Sequence, residues 1–383
     1  MPTNKFTSKT REELLQFYMN ALKEDTIPWE KGWSGGEPNH NEISGARYRG
    51  INQLRIWIEA YQKKYTDPRW VTFNQISDRE GKYHKGEKWH LKAGSKGVPI
   101  EHWNLRRTDP ETGKKTYINA WELKDRLAQH PEEEGQWYYT VSVSSVFNMS
   151  CVEGAPEYQV KTYEKPSNEL LQEFCEEANR TMGVEVVHGG AEACYVPSED
   201  KIYLPNYENF KSTDDYYATR LHETGHSTGA EKRLNRELTG GFGSEQYAKE
   251  ELRAEIGSSL IYADLHMPET ERTLDNNKAY IQNWIEVLKN EPDILFQAIH
   301  DAESISDYVL EHAPVALAKI REVEKEQDVL REKTQEDVKE TEIPVQHDEA
   351  VHQPLCNADN PLLENVMENA MPYIHENERH RTK

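Results

Sequence analysis

One short stretch limits what this chain can fold into more than any other. Residues 220–229 read RLHETGHSTG, which sets His222 and His226 four residues apart with Glu223 beside the first. On an α-helix, residues i and i+4 lie on one face, a turn apart. Both imidazoles can then point at one ion, and the Glu223 carboxylate can reach a water bound to it. H-E-x-x-H is the pattern of zinc hydrolases. In them the ion brings the pKa of bound water toward ~7, and the glutamate takes the proton as the water attacks a carbonyl. A fold that uses the pattern must pack this helix against a segment that supplies a third ligand, and must leave one coordination position open. The bland reading is three polar residues sharing a helix, so the context has to decide.

The context supplies a third ligand. SEQYAKEELRAEIGSSLIYADL, from Ser244, reads as a strong helix with Tyr247, Ala248, Leu252, Ile256 and Leu260 as its apolar stripe. Glu251 and Glu255 again stand at i and i+4. One can bind the metal while the other hydrogen-bonds a ligand histidine and fixes its tautomer. We favour Glu251 as the ligand and Glu255 as the supporting carboxylate, because glutamate-type zincins use the first member of such a pair; Glu250 is a weaker rival. The expected site is one Zn²⁺ per chain, or another divalent ion, held by His222, His226 and Glu251, with Glu223 as catalytic base. Tyr195, Tyr203 and Arg233 carry donors suited to an oxyanion, although ordinary packing accounts for each. Gly225, inside the motif helix, is read as a point of close backbone approach.

The predicted architecture is α+β. Thr10-x-x-Glu13 reads as a capping box that opens a helix carrying Leu14, Leu15, Phe17, Tyr18 and Leu22. RWVTF, VPIEHW and QWYYTVSVSSVFNM read as strands of a small mixed domain over residues 1–155. EGAPEYQVKTYEKPS centres a linker at 156–167. Residues 168–325 read as a helix-dominated domain with a short sheet. Ser167 and Gly183 bound its first helix, VEVVHG, ACYV and KIYLP are its strands, and Gly229 stands where the cap of the motif helix belongs. Beyond 325 charge dominates, and residues 326–383 read as a helical extension fraying into a disordered tail.

Charge separates the two halves. Net charge is −22, but residues 1–107 hold 19 Lys/Arg against 13 Asp/Glu, and the remaining 276 hold 27 against 55. Between Gly45 and Arg107 there are 14 Lys/Arg against 6 Asp/Glu, interleaved with nine Trp, Tyr and Phe. Cations neutralise phosphates and aromatic faces stack unpaired bases, which suits a single strand better than a duplex groove. The same aromatics would equally serve a small-domain core. The four scattered cysteines form no C-x-x-C pair, and no apolar run reaches bilayer length. With no apolar leader at the N-terminus, the expectation is a cytoplasmic protein without membrane contact.

Taken together, IPWEKGW, GARYRGINQLRIW, DPRWVTFNQI, HKGEKWHLKAGSKGVPIEHW and VFNMSCVEG resemble the N-terminal domain of ArdC-type antirestriction proteins. ACYVPSEDKIYLP, YYATRLHETGHSTGAEKRLNRE, FGSEQYAKEELRAEIGSSLI and AYIQNWIEVLKN resemble the zincin-like domain that follows it. The match runs in order over about residues 10–310. It implies a single-stranded-DNA-binding domain joined to a metallopeptidase-like domain similar to SPRTN proteases, carried on plasmids, phages or other mobile elements and protecting incoming DNA from host restriction. By matching position it implies His222, His226 and Glu251 as ligands and Glu223 as base. It also implies Trp29, Arg47, Tyr48, Arg49, Asn52, Arg69, Trp70, Thr72, Lys85 and Lys88 as DNA contacts. Cys151 stands where the family pattern has glutamine. The expected partners are single-stranded DNA and an unidentified protein substrate. An alternative of another class is a non-proteolytic protein that coats single strands and carries a structural or vestigial metal. A third, in which the acidic half mimics DNA, fits the 46 Lys/Arg least.

Overall fold

The computed structural model describes residues 5–24, 37–79, 81–84, 87–119, 122–161, 163–241, 243–267 and 271–341. α1 (Lys5–Lys23) leads, with Leu14, Tyr18 and Leu22 buried at helical spacing. The helix is already formed at Lys5. KFTSKT holds no Gly or Pro to break it, so Thr10 lies inside the helix and the expected capping box is not its start.

Next come β1 (His40–Asn41), α2 (Gly50–Lys63), β2 (Arg69–Thr72), α3 (Phe73–Ser77), β3 (His90–Leu91), β4 (Val98–Thr108), β5 (Lys115–Ile118), α4 (Leu123–Gln129), β6 (Tyr138–Asn148) and β7 (Val152–Glu153). Five strands form a sheet in the order β1-β2-β6-β4-β5, with β1 parallel to β2 and the other pairs antiparallel. β3 and β7 pair separately. β2 lies inside the sheet and is covered on both sides. Trp70 packs with Ile56, Val98, Ile100 and Val146, and Val71 packs with Ile76, Trp89, Met149 and Val152. Gly154, just after β7, has φ +82°, and a Cβ there would collide with the Lys88 carbonyl, so glycine is required.

The second half runs α5 (Asn168–Met182), β8 (Glu185–His188), β9 (Cys194–Val196), β10 (Lys201–Leu204), α6 (Thr213–Ser227), α7 (Glu245–Asp264), α8 (Glu271–Asn290), α9 (Ile294–Glu311) and α10 (Pro314–Thr341). The Ser167 hydroxyl accepts from the Leu170 N–H at the start of α5, and Gly183 ends that helix at φ +71°. β10 sits between parallel β8 and antiparallel β9, which leaves β9 as an edge. Ser212 caps α6 by accepting from the Asp215 N–H, while Asp214 and Asp215 place negative charge at the positive end of the helix dipole.

The expectation for Gly229 needs correcting. α6 ends at Ser227, Thr228 keeps a right-handed conformation, and Gly229 does not adopt positive φ. Its smallness serves packing instead, since an added Cβ would lie 2.8 Å from Leu238 Cδ2 and 3.1 Å from Arg236 Nη2.

α7 is buried on nearly every side, among α6, α8 and α9. One apolar cluster joins Leu14, Tyr18 and Leu22 of α1 and Leu54 of α2 to Leu252 and Ile256 of α7, Trp284 of α8 and Leu295 of α9. Met1–Val329 form one compact unit, and Leu330–Lys383 a second. Of the tail expected at 326–383, α10 covers the residues up to Thr341 and the rest lies outside the described residues. No helix among the described residues is long and apolar enough to cross a membrane. The architecture is α+β, with a mixed front part and a helix-rich back part carrying a short sheet.

Candidate metal centre

α6 and α7 pack side by side and bring three ligand-type side chains together. His222 Nε2 and His226 Nε2 are 3.1 Å apart. Glu251 on α7 places one carboxylate oxygen 3.4 Å from His226 Nε2 and the other 3.7 Å from His222 Nε2. A tetrahedral ion with bonds of about 2.0–2.1 Å separates its ligand atoms by about 3.3 Å. The three donors therefore fit a single small divalent cation.

Each imidazole is held from behind. Glu255 Oε1 lies 3.3 Å from His222 Nδ1, and Glu250 Oε1 lies 3.4 Å from His226 Nδ1. Such carboxylates fix the tautomer that turns Nε2 toward a metal. Glu250 is thus not a rival ligand but faces the far side of the His226 ring. It is anchored by Arg236, whose Nη2 and Nε reach its two oxygens at 2.7 and 3.3 Å. Arg236 also donates to Thr228 Oγ1 at 2.6 Å and to the Gly225 carbonyl at 3.0 Å, which ties the loop after α6 to both helices. Sequence reasoning missed Arg236 because it comes from a loop with no periodic relation to the motif.

The electrostatics follow from this crowding. Burial opposes ionisation of Glu251, but the imidazoles of His226 and His222 outweigh it and bring its pKa down to about 2. Burial likewise works against a charged His226, yet the Glu251, Glu250 and Glu223 carboxylates hold its pKa well above the ordinary value. The site is a concentrated negative field around two nitrogens, which suits a dication.

Glu223 shares the turn with the two histidines. One of its carboxylate oxygens accepts the Tyr195 N–H of edge strand β9 at 2.8 Å. Glu223, both histidines, Glu251, Tyr247 and Tyr280 line a cavity of about 650 Å³. Tyr247 is a further side chain that sequence reasoning used only as packing. It sits one turn before Glu251, and its hydroxyl is 3.2 Å from that of Tyr280. The donors weighed from sequence are engaged elsewhere: Tyr195 and Arg233 bind Asp200, and Tyr203 donates to Glu199. Gly225 is not required for a close approach: an added Cβ would stand 3.5 Å from Ile305 Cγ2 and 4.0 Å from Ala254 O, both ordinary contacts. His130, Glu132 and Glu133 also bring ligand-type atoms together, but Glu133 is bound by Arg107 and Arg126.

The front-half candidates separate into groups. Trp29 and Lys85 lie outside the described residues. Lys88, Arg47 and Arg49 are exposed. Arg47 pairs with Asp264, and Arg49 with Asp307 and Glu303. Tyr48 is partly buried against the β2 core. Trp70 is 1% exposed and hydrogen-bonds Asn39, so its ring fills the core and is not open for stacking in this structure. Asn52 spends both amide atoms on the Glu101 backbone, Arg69 is clamped to Asp67, and Thr72 caps α3. These three hold the fold together.

Comparison with known proteins fits this picture. Residues 8–147 match the N-terminal domain of anti-restriction factor ArdC, and residues 173–301 match a zincin-like metallopeptidase. Two Escherichia coli proteins named DNA primase TraC are 35% and 36% identical over 311 and 318 residues. The chain spans only 27% and 20% of their length. The uncharacterized protein y4eC of Sinorhizobium fredii is 32% identical over 299 residues, covering 78% of this chain and 88% of that protein. Crystal structures of antirestriction ArdC from plasmid R388, metal-free and Mn(II)-bound, superpose with TM-scores of 0.59 and 0.58 at 26% and 25% identity. Each covers 79% of this chain and 97% of theirs. The chain therefore belongs to the ArdC-type family, in which an ArdC N-terminal domain precedes a zincin-like metallopeptidase domain.

Proposed function

We propose that this chain is an antirestriction protein of a mobile element, acting in the cytoplasm. Residues 1–155 bind single-stranded DNA. Residues 168–325 form a zinc-dependent peptidase acting on proteins found there, joined by the 156–167 linker and followed by the 326–383 tail. One observation carries the enzymatic part: two helices converge His222, His226 and Glu251 within 4.8 Å, with Glu223 beside them at a cavity. The Mn(II)-bound structure of the ArdC relative supports a divalent ion for this chain.

In this reading His222, His226 and Glu251 would hold the ion, and Glu250 and Glu255 would fix the rings. A bound dication would acidify a water and polarise the scissile carbonyl. Glu223 would hold the attacking water, take its proton and pass it to the leaving amine. Cys194 and Tyr195 of β9 line the cavity, and the Tyr195 N–H holds the Glu223 carboxylate in place. Of the front-half candidates, Arg47, Arg49 and Lys88 remain exposed to meet phosphates.

The test is Glu223→Gln in purified, metal-analysed protein. Cleavage of a basic protein presented with single-stranded DNA should vanish, while metal content and oligonucleotide binding stay at parental levels. Cleavage that survives would refute the mechanism. Undiminished protection of incoming DNA in cells by this variant would favour the coating protein with a non-catalytic metal.

A further inference from the structure

The five-stranded sheet leaves one end of a face open. α2 lies along β4, and its Ile56 packs with Val98, Ile100 and Val146 at the other end of that face. Past them the face is uncovered among the described residues: His102, Thr108, Lys115, Tyr117, Tyr138 and Ser142 are all exposed. Strand register decides which side chains stand together. Arg106 on β4 lies directly opposite Tyr117 on β5 and Tyr138 on β6. Residues paired across a sheet point to the same side, so these three form one row.

The row is built around a cation. Arg106 donates from Nε to the Tyr138 hydroxyl at 2.6 Å and holds its guanidinium carbon 4.5 Å from the centre of that ring. It also hydrogen-bonds Tyr117. Arg69, Arg107 and Arg126 of the same part each pair with a carboxylate, and Arg106 pairs with none among the described residues. Two tyrosine hydroxyls orient its fork and leave N–H groups to spare, since guanidinium has five. Lys115 stands on the same face of β5, and Asn104, Thr140 and Ser142, which complete the face, are neutral. Tyr117 is 54% exposed and Tyr138 42%, so neither ring is spent on a core. Adjacent strands lie about 4.8 Å apart, which sets the two tyrosines about 10 Å from each other on either side of Arg106. Two open rings with a cation between them match two nucleotides of one strand and the phosphate that joins them. The bases of a duplex have no free faces to offer.

We propose that single-stranded DNA runs across this face, with one base on Tyr117, another on Tyr138, and Arg106 and Lys115 meeting the phosphates. The inference rests on the single-strand-binding reading above. It supplies the open aromatic faces that the buried Trp70 does not. Charge complementarity selects the occupant: two cations with no carboxylate on the row suit a polyanion, and the open rings suit unpaired bases rather than an acidic peptide. Contacts of this kind tolerate any sequence, because every base has a π-face.

The experiment measures binding of a labelled dT oligonucleotide to the full chain over a range of salt concentrations. Tyr117→Ala and, separately, Tyr138→Ala should weaken binding by about 5- to 150-fold, with the thermal midpoint of each variant checked first. Lys115→Gln should reduce the slope of log K against log salt by about 0.7. An oligonucleotide carrying 5-iododeoxyuridine should photocrosslink to Tyr117 or Tyr138 in the unsubstituted chain, a readout that needs no variant. Binding by the parent that neither tyrosine substitution changes by more than twofold, or crosslinks confined to other residues, overturns the proposal and leaves the single-strand reading standing. A parent that binds no oligonucleotide overturns both. A dimer that Tyr117→Ala dissociates while oligonucleotide affinity holds would assign the face to a second copy of the chain and likewise overturn it.

Discussion

Glu250→Gln separates the orienting role of this carboxylate from its role in stability. Two contacts are at stake: the 3.4 Å approach to His226 Nδ1 and the pairing with Arg236. Losing the carboxylate behind a ligand histidine weakens metal binding by about 10–100-fold, or roughly 1.4–2.8 kcal/mol. The second cost arises because Arg236 and Glu250 are each 8% exposed at the side chain. Removing one member of a buried pair costs about 3–5 kcal/mol. The low end applies, because the glutamine oxygen still accepts and Arg236 keeps Thr228 Oγ1 and the Gly225 carbonyl. Unfolding entropy of about 2.1 cal/mol/K per residue, over the unit Met1–Val329, turns ~3 kcal/mol into a Tm drop of about 4 °C. Competition against a chelating dye at constant pH measures the first effect, and calorimetry of the metal-free protein the second. A metal Kd within twofold of the parent would show that Glu250 does not orient His226, and an unchanged Tm would show that Arg236 finds full compensation.

Four further outcomes are expected. His222→Ala or Glu251→Ala should abolish bound metal, and with it the ~2.7 kcal/mol of protection that ligand at a hundred times Kd confers, seen as loss of the metal-induced rise in Tm. Glu255→Gln should weaken metal binding much as Glu250→Gln does, by chelator competition, since it stands 3.3 Å behind His222. Burial works to raise the Asp200 pKa, but Arg233, Lys232 and Tyr195 outweigh it and lower it from 3.8 to about 2. Its stabilisation is therefore present above pH ~4 and fades as pH falls toward 2, giving about 1 kcal/mol after solvent screening. Asp200→Asn, which tolerates the residue's φ of +52°, should flatten that part of the pH–stability curve in denaturant titrations. Gly154→Ala should cost about 2–4 kcal/mol through positive φ and the clash with the Lys88 carbonyl, a Tm decrease of roughly 3–6 °C; no decrease would contradict the packing at β7.

What the sequence made legible is what local geometry dictates. Ser167 and Gly183 announce α5 because a hydroxyl cap and a left-handed terminus act within four residues. His222 and His226 meet because the helix repeat alone sets them on one face, and Glu251 follows because α7 is long and apolar enough to be fixed against α6. Features that depend on chain crossing were not legible. Arg236 reaches Glu250 from a loop, and the Tyr195 N–H reaches Glu223 from a strand edge. The aromatic front half was ambiguous for a different reason. A strand inside a sheet is covered on both sides, so Trp70 obeys the same composition signal as a stacking platform while filling a core. Gly229 was misplaced because a glycine after a helix signals a left-handed cap only when nothing crowds it, and here Leu238 and Arg236 do.

The placement of α1 limits how this protein can be divided. Its leucines and Tyr18 share a cluster with α7, α8 and Trp284, the helices that buttress the metal ligands. Severing the chain near residue 160 would strip an apolar face from each piece, so neither half is expected to stay dispersed alone, and mixing the two should restore a folded assembly. The two much longer TraC primases each align with it over about three hundred residues, a stretch that takes in both parts of the shared core.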